Sequence, residues 1–444
     1  MTNPFFSFIA LILLGPAFFT GTCLAQNNRD TLTRDKAVQL AMENSLQRRM
    51  AGQDIQIADE VLAQAVSAFG PTLTLEAGVF RYDDQPSTVQ LNQGLVRLSN
   101  ALSGQTQDMP SDSRTYYGGG LKVTQPLYTG RKLTATRRLA LANMDNAKKD
   151  MTASNNDLAL AAKKAYYTVI LARQMSKALD EAVESMNQHA EEARAYHDLK
   201  IVPKLDLLRA EEKLADLQQQ QLYADNNVAL AMTALNYVLG VDMDTKFTFD
   251  DDPGCPPLTD HLEACITTAL DLRPELGAMD AKIKMAEEQI LIAKSDWLPT
   301  FALVGEAHKY EPENEDPAAQ IGIVASVDLY DNGQVKHKVS RARIQLEKAK
   351  TAKKQMKRGI RLQVEKAFHN AQVSWKSIDV ARKSLDTAQE ALDAARTRYR
   401  VGLSTSLERL DAEVSLTQAK TNHIHAASMY NIAISELERA MGKE

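Results

Sequence analysis

The fold of this chain is decided by two similar stretches, which read AVSAFGPTLTL at residues 65–75 and AKSDWLPTFAL at residues 293–303. Each leads from a helical pattern through a proline into residues that alternate between apolar and polar. A second matched pair follows, with QPLYTG at residues 125–130 and VDLYDNG at residues 327–333. The first pair is offset by 228 residues and the second by 202, so the first half carries 26 additional residues, in the polar stretch 81–114. The chain is therefore a tandem repeat of one architecture.

Two tracts of unusual length lack the residues that break helices. Glycine and proline are absent between Arg131 and Ala195, and Gly359 is the only such residue between Gln334 and Arg398. We predict helices at residues 130–196 and 333–399, each of 67 residues and about 100 Å long. Such lengths are typical of coiled coils. Shorter helices are predicted at residues 36–68, 204–239, 264–296 and 405–441, so that two short helices stack end to end beside each long one.

Alternating residues predict four strands, at residues 71–80, 117–127, 299–308 and 320–330, with outer loops at residues 81–116 and 309–319. In the first strand, Leu73, Leu75 and Val79 alternate with Thr72 and Thr74. Strands that are apolar outward and polar inward are typical of outer-membrane barrels. Because the smallest such barrels have about eight strands, a chain with four is expected to oligomerise before it can close one.

Aromatic residues at the strand ends fit the same interpretation, since two levels of them would form interfacial girdles. They are Phe69, Tyr128, Trp297 and Tyr330 on the helix side, and Phe80, Tyr82, Tyr117 and Tyr310 on the loop side.

The alternative to membrane strands is an exported structural coiled-coil protein whose hairpins pack as a small soluble sheet.

The N-terminus predicts export. Residues 5–14 are nearly all apolar, too short to span a bilayer but typical of a signal peptide, which we place at residues 1–25. The alternative is lipidation at Cys23. The remainder divides into repeat one at residues 26–240, an equatorial linker at 241–263 and repeat two at 264–444. In an oxidising compartment Cys255 and Cys265 are expected to form a disulfide, the alternative being two unrelated thiols.

Composition and motifs exclude several classes of function. The 444 residues carry a net charge of −5, so no basic excess indicates a nucleic-acid partner. The eight histidines form no HExxH or zinc-ligand spacing, and His423 and His425 point to different faces of a predicted helix. The triple glycine at residues 118–120 lacks the lysine of a P-loop and indicates a hairpin base. We therefore predict no enzyme activity, no cofactor and no metal site.

At this point the sequence resembles the TolC family of outer-membrane efflux proteins, over essentially the whole mature chain. The resemblance rests on the approach to the strands at Pro71 and Pro299, on QPLYTG, and on two helix–turn–helix tips. The tips read IVPKLDLLRAE at residues 201–211 and YRVGLSTSLERLDAE at residues 399–413.

The resemblance implies a mainly α fold with a small membrane β part, assembled as a homotrimer. Twelve strands would form a barrel in outer-membrane lipid, and twelve helices an α-barrel reaching through the periplasm. The implied function is the exit duct of a tripartite efflux pump, gated at the helical tips. Its partners would be a periplasmic adaptor (membrane fusion) protein and an inner-membrane transporter. The alternative is the duct of a type I protein secretion system.

The resemblance also implies roles for residues at the tips. An acidic pore constriction corresponds to Glu408 and Asp411, although both also suit a capped first helical turn. Tip gating corresponds to Tyr399, while the family's locking arginine is replaced by Ser404. Either Arg400 or Arg409 could substitute for it. Adaptor contacts correspond to Val401, Gly402 and Leu403 in the second tip and to Leu199, Lys200 and Ile201 in the first.

Overall fold

A computed structural model of the chain describes residues 31–82, 114–250, 254–311 and 318–443. The predicted signal peptide and the lipidation alternative at Cys23 lie outside these residues, as does most of each predicted outer loop.

Eight helices make up most of the described chain. The two long ones, α3 Lys132–Asp198 and α7 Gln334–Arg400, have 67 residues each and begin just after residues in the left-handed conformation, Arg131 and Gly333. None of the described helices is long and apolar enough to cross a bilayer. The helices are α1 Arg34–Asn44, α2 Leu46–Ser67, α3 Lys132–Asp198, α4 Lys204–Leu239, α5 Leu262–Leu272, α6 Pro274–Ser295, α7 Gln334–Arg400 and α8 Ser406–Ala440.

The predicted helices 36–68 and 264–296 are each two helices in the structure, and this is a correction. Ser45 is extended (φ −62°, ψ 125°) and ends α1, while its side chain accepts a hydrogen bond from the Arg48 N–H and so caps α2. Arg273 is extended because the ring of Pro274 excludes the helical conformation from the residue before it. Pro274 then opens α6, where its missing N–H costs nothing.

Four antiparallel strands form one sheet in the order β2-β3-β5-β6, with β2 Thr72–Tyr82, β3 Arg114–Thr129, β5 Thr300–Glu311 and β6 Ala318–Ser326. The central pair joins the two repeats. A separate parallel pair joins β1 Thr31–Leu32 to β4 Thr248–Phe249. The predicted strand 320–330 stops at Ser326, because Ser326 pairs with Thr300, the first residue of β5. Among the described strands, β2 and β6 have one neighbour each, so both sheet edges are open.

The glycines at residues 118–120 lie inside β3 rather than at a hairpin base. A Cβ on Gly120 would come within 2.8 Å of the Ala307 carbonyl oxygen, and one on Gly119 within 2.7 Å of the Glu76 carbonyl oxygen. Glycine therefore allows the two neighbouring strands to approach closely here.

The helices pack side by side in one layer. Helix α3 contacts α2 and α4 on one side and α6 and α8 on the other, and α7 contacts α6 and α8 from their far side. The order across the layer is therefore α2 with α4, then α3, then α6 with α8, then α7. The short helices meet end to end: Gly240, after α4, lies against Asn44, and Gly442, after α8, lies against Arg273.

The largest apolar clusters lie at these two junctions. One surrounds Leu235 and Leu239 of α4 against α1 and α3, and the other surrounds Ile360 and Val364 of α7 against α5 and α8. The burial of aliphatic side chains at both junctions fixes the short helices along their long neighbours.

The predicted disulfide is not formed between Cys255 and Cys265, both of which are described. Cys265 is 1% exposed within the cluster around Ile360 and Val364. The Sγ of Cys255 lies instead 4.0 Å from the Ala427 carbonyl oxygen, on α8. The two thiols are therefore directed at different neighbours, and burial raises the pKa of the Cys265 thiol.

Candidate functional site

The two faces of the four-stranded sheet differ in chemistry. One face exposes large apolar side chains, including Leu75 (74%) and Ile321 (76%). On the other face, the Lys122 ammonium lies 2.8 Å from the Glu306 carboxylate, which also accepts a hydrogen bond from Gln320 at 3.0 Å. These three residues sit on three adjacent strands, so the polar groups satisfy one another across the sheet.

Aromatic side chains mark the helix side of the sheet. The rings of Tyr128 and Phe301 lie 6.1 Å apart, and Phe69, Trp297 and Tyr330 are exposed. Their amphipathic rings suit the boundary between lipid and water. The loop-side aromatics Phe80, Tyr82, Tyr117 and Tyr310 have side chains outside the described part of the structure.

At the opposite end of the molecule, the two interhelical turns have the same backbone geometry. The Ile201 N–H donates to the Tyr196 carbonyl at 2.9 Å, and the Leu403 N–H donates to the Arg398 carbonyl at 2.8 Å. A hydrogen bond of this six-to-one type requires a residue in the left-handed conformation just before the donor. In the second turn that residue is Gly402 (φ 69°). In the other turn it is Lys200 (φ 63°), so a lysine adopts the conformation that glycine usually takes.

Both turns present apolar side chains to solvent. They are Leu199, Ile201, Val401 and Leu403, which are 64–70% exposed. Isolated exposed leucines need no explanation, but four at the ends of two equivalent turns form a repeated apolar feature. Lys200 and Gly402 are exposed between them.

Behind the second turn lies a buried cluster centred on Arg409, which is 4% exposed. Its guanidinium carbon lies 5.3 Å from the centre of the Tyr399 ring, a cation–π contact. Its Nε donates to Glu413 at 3.2 Å, and its Nη1 pairs with Glu192 of α3. Arg409 therefore connects α8 with both long helices.

His189 of α3 is fully buried in the same cluster. Its Nε2 lies 3.3 Å from the Ser406 hydroxyl, and its ring is 5.7 Å from the Tyr399 ring. Burial, and secondarily the positive charge of Arg409, lower the pKa of His189 to about 4. The imidazole is therefore neutral at neutral pH.

The other titratable members of the cluster respond to the same burial. Desolvation raises the pKa of the Glu413 carboxyl, although Arg409 and Arg396 beside it act in the opposite direction. Desolvation likewise raises the pKa of the Tyr399 phenol. Arg396 of α7 lies 3.6 Å from the Glu413 carboxylate and adds a second cation to it.

The structure brings only some of the predicted tip residues together. Tyr399 is buried in the cluster, but Arg400 is exposed outside it, and Arg409 occupies the place beside the tyrosine. Ser404 is half-buried, and its hydroxyl contacts only the Thr405 carbonyl at 3.5 Å among its described hydrogen bonds.

The predicted constriction residues Glu408 and Asp411 are both exposed on α8. Thr405 caps this helix by accepting a hydrogen bond from the Glu408 N–H at 3.2 Å, so Glu408 also lies in a favourable first turn.

Sequence reasoning missed His189, Glu192 and Glu413. A signal was present for the last of these, because Ser406, Arg409 and Glu413 follow one another at spacings of three and four residues. Polar residues at the spacing of a helix seam indicate a buried polar contact between helices. For the residues of α3 no comparable signal exists, since their partners are more than 200 positions away.

Within the described chain, no group of three or more side chains could hold a metal ion. The sites that stand out in this part of the chain are the two-faced sheet and the helical tip, whose polar cluster is buried between helices.

The chain is similar to one protein family and to several solved structures. A family profile described as "Outer membrane efflux protein" matches residues 37–241 and 265–443. No curated protein sequence matches this chain. Solved structures with the same fold include the CmeC outer membrane channel of Campylobacter jejuni, 16% identical with a TM-score of 0.78, covering 93% of this chain and 86% of that chain.

Two further structures are similar. The outer membrane protein VceC from Vibrio cholerae is 16% identical with a TM-score of 0.75, covering 92% of this chain and 96% of that chain. The open state of the Neisseria gonorrhoeae MtrE outer membrane channel is 18% identical with a TM-score of 0.72, covering 92% and 89%. At these identities the likeness concerns the fold.

Proposed function

The chain belongs to the outer membrane efflux protein family, and from this premise we propose that three copies of it form an exit duct that passively exports small molecules from the periplasm. The chain lies in the outer membrane with a long helical extension in the periplasm, and it is a channel protein, not an enzyme.

The observation that carries this proposal is the sheet with one apolar face, one polar face and two open edges. Strands in lipid must satisfy all their backbone groups, which only a closed barrel achieves. Three copies, each contributing four strands, would join β6 of one to β2 of the next. The apolar face would contact lipid, and the face bearing Lys122 and Glu306 would line a polar lumen.

The helical layer supports the same assembly, because apolar side chains remain exposed at its two edges. On α7 they include Ile344, Val373 and Val380, between 63% and 67% exposed. On the other edge they include Ile57 of α2 and Leu230 of α4, 61% and 59% exposed. Joining the two edges between neighbouring copies would bury both strips and close a helical barrel.

The tips support an adaptor as partner. Each copy presents two turns of the same geometry with exposed apolar side chains, so a trimer would offer six equivalent sites to a periplasmic adaptor protein. The adaptor would connect the duct to an inner-membrane transporter, which supplies the energy.

We assign the gate to the same region. Three copies of Glu408 and of Asp411 would surround the pore and favour cations. The contacts of Arg409 with Tyr399, Glu413 and Glu192 would hold α7 and α8 against α3 in the closed state. Opening would then be a repacking of helices that breaks these contacts.

The proposal is tested by reconstituting the detergent-extracted protein into planar bilayers. We expect single channels that prefer cations, and a weaker preference when Glu408→Gln and Asp411→Gln are combined. Purified protein that is monomeric and conducts no current would contradict the duct. Channels whose selectivity is unchanged in the double variant would remove these two residues from the constriction.

A further inference from the structure

The membrane-proximal half of α7 is strongly basic. Residues 334–366 contain twelve lysines and arginines but only two acidic residues. The corresponding part of α3, residues 132–164, contains seven against three, and the whole chain carries a net charge of −5. The basic excess is therefore a local property of one helix in one repeat.

Five of these cations lie on one face of α7, because they are spaced by seven, seven, four and seven residues. We refer to them as the basic strip: Lys336, Arg343, Lys350, Lys354 and Arg361, all exposed. The strip follows the helix axis for about 37 Å. Its ion pairs in the described structure are those of Lys350 with Glu347 and of Arg361 with Glu365 and Glu263.

Residues 254–263 of the equatorial linker, called here the equatorial segment, show which side of the helical layer carries the basic strip. Glu263, at the start of α5, lies 3.5 Å from Arg361. Trp375, fourteen residues further along the same face, packs against Tyr430, whose hydroxyl donates to the Pro256 carbonyl. The segment 254–263 therefore covers this face directly below the strip.

This step rests on the proposed duct. Three copies of the equatorial segment inside the barrel would block its lumen, so the segment and the strip both belong to the outer wall. The strip begins at Lys336, two residues after the start of α7 near the sheet. It ends at Arg361, which is about 57 Å along the helix from Tyr399 at the tip. A partner bound at the tip would leave it uncovered.

We propose that the basic strip docks the carboxylate-bearing peptidoglycan of the cell wall. A barrel about 100 Å long that extends inward from the outer membrane has to pass through this polymer. The strip runs along the barrel axis, so headgroups in the membrane plane could reach only its first residue, Lys336. A polyanion surrounding the barrel could contact three complete strips, and the attraction would be electrostatic.

The test is sedimentation of the purified, detergent-solubilised protein with isolated peptidoglycan sacculi. We expect the protein to sediment with sacculi at low ionic strength and to be released by 1 M NaCl, which screens charges beyond about 3 Å. The variant that combines Arg343→Gln, Lys350→Gln and Lys354→Gln, three exposed members of the basic strip, should bind at least about tenfold more weakly.

The matched control combines Lys376→Gln, Arg382→Gln and Lys383→Gln, which removes three exposed cations lower on the same helix and should bind like the wild type. Equal sedimentation of both variants, or a wild type that stays in the supernatant, overturns the proposal. Binding to vesicles of anionic phospholipid but not to sacculi overturns it as well. Channel conductance is measured in parallel, since its loss would indicate failure of the duct and not of the strip.

Discussion

Arg409 joins three helices at the tip through one side chain. It is 4% exposed and contacts the ring of Tyr399 on α7, the carboxylate of Glu413 on α8 and the carboxylate of Glu192 on α3. Removing one member of a buried ion pair is costly, because the remaining charge loses its partner.

We expect Arg409→Ala to loosen the closed tip by about 3 kcal/mol per chain and to raise the resting conductance of the reconstituted channel. Arg400→Ala is the control, since Arg400 lies one residue from Tyr399 but is exposed. If the two variants conduct alike, Arg409 does not hold the tip.

We expect His189 to make the tip sensitive to acid. Its folded-state pKa of about 4 lies below the ordinary 6.5, so the stability it contributes is complete above pH 6.5 and is lost as the pH falls towards 4. At pH 5 the loss is about 2 kcal/mol per chain. We expect the hydrogen-exchange protection factors of the 401–405 turn, which are corrected for the intrinsic exchange rate at each pH, to be lower at pH 5 than at pH 7.

The control for this prediction is His189→Gln, which keeps a hydrogen-bond partner for Ser406 but does not titrate. Glu413 also titrates, and its raised pKa favours the folded tip as the pH falls, which is the opposite sign. The difference between wild type and His189→Gln therefore isolates the histidine. A variant with the same pH dependence as the wild type would refute the assignment.

At the scale of elements, adjacent residues of a strand lie on opposite faces of the sheet, one apolar and one polar. Leu75 is on the apolar face and Thr74 on the polar face, where it pairs with Lys122. We expect Leu75→Arg to cost about 2–4 kcal/mol in lipid and to reduce the yield of assembled oligomer. Thr74→Arg should assemble like the wild type. Heat-sensitive migration in gels distinguishes the two, and equal yields would argue against a lipid-facing Leu75.

Much of the fold could be predicted from sequence because its signals are local. The fold class and the family resemblance are confirmed. The long helices follow from the absence of glycine and proline, and the strands follow from alternation. The helix breaks at Ser45 and Arg273 are less visible, since a serine is common within helices and Pro274 also suits a first turn.

The tip could be only partly predicted. Family resemblance led to Tyr399, but the identity of its partner depends on how α8 is rotated against α3, a contact between residues 217 positions apart. Arg400 and Arg409 are equivalent in sequence terms, and only packing distinguishes the buried one. The disulfide prediction failed for a similar reason, because Cys265 faces an apolar cluster that no local pattern reveals.

At the scale of the whole molecule, the proposed trimer places the two edges of the helical layer at the interface between copies. Leu230 lies 26 residues from the tip end of α4 and Val373 lies 27 residues from the tip end of α7, so both are at the same height. Within one chain they are separated by α3 and α8.

We expect Leu230→Cys combined with Val373→Cys to cross-link neighbouring copies into dimers and trimers on a non-reducing gel, in a background of Cys255→Ser and Cys265→Ala. The control pair is Leu230→Cys with Gln372→Cys, because Gln372 is at the same height as Val373 but on another exposed face of α7. A cross-link that forms equally well with Gln372→Cys, or only within one chain, would contradict this interface.

The end-to-end junctions of the short helices have a mechanical consequence. Helices α4 and α8 have 36 and 35 residues, so the junctions at Gly240 and Gly442 lie at nearly equal distances above the turns. In a trimer all six would fall in one plane, where only the six long helices are continuous. Flexure of the tube would concentrate in that plane, which would become the pivot for its lower portion if the mouth dilates as proposed.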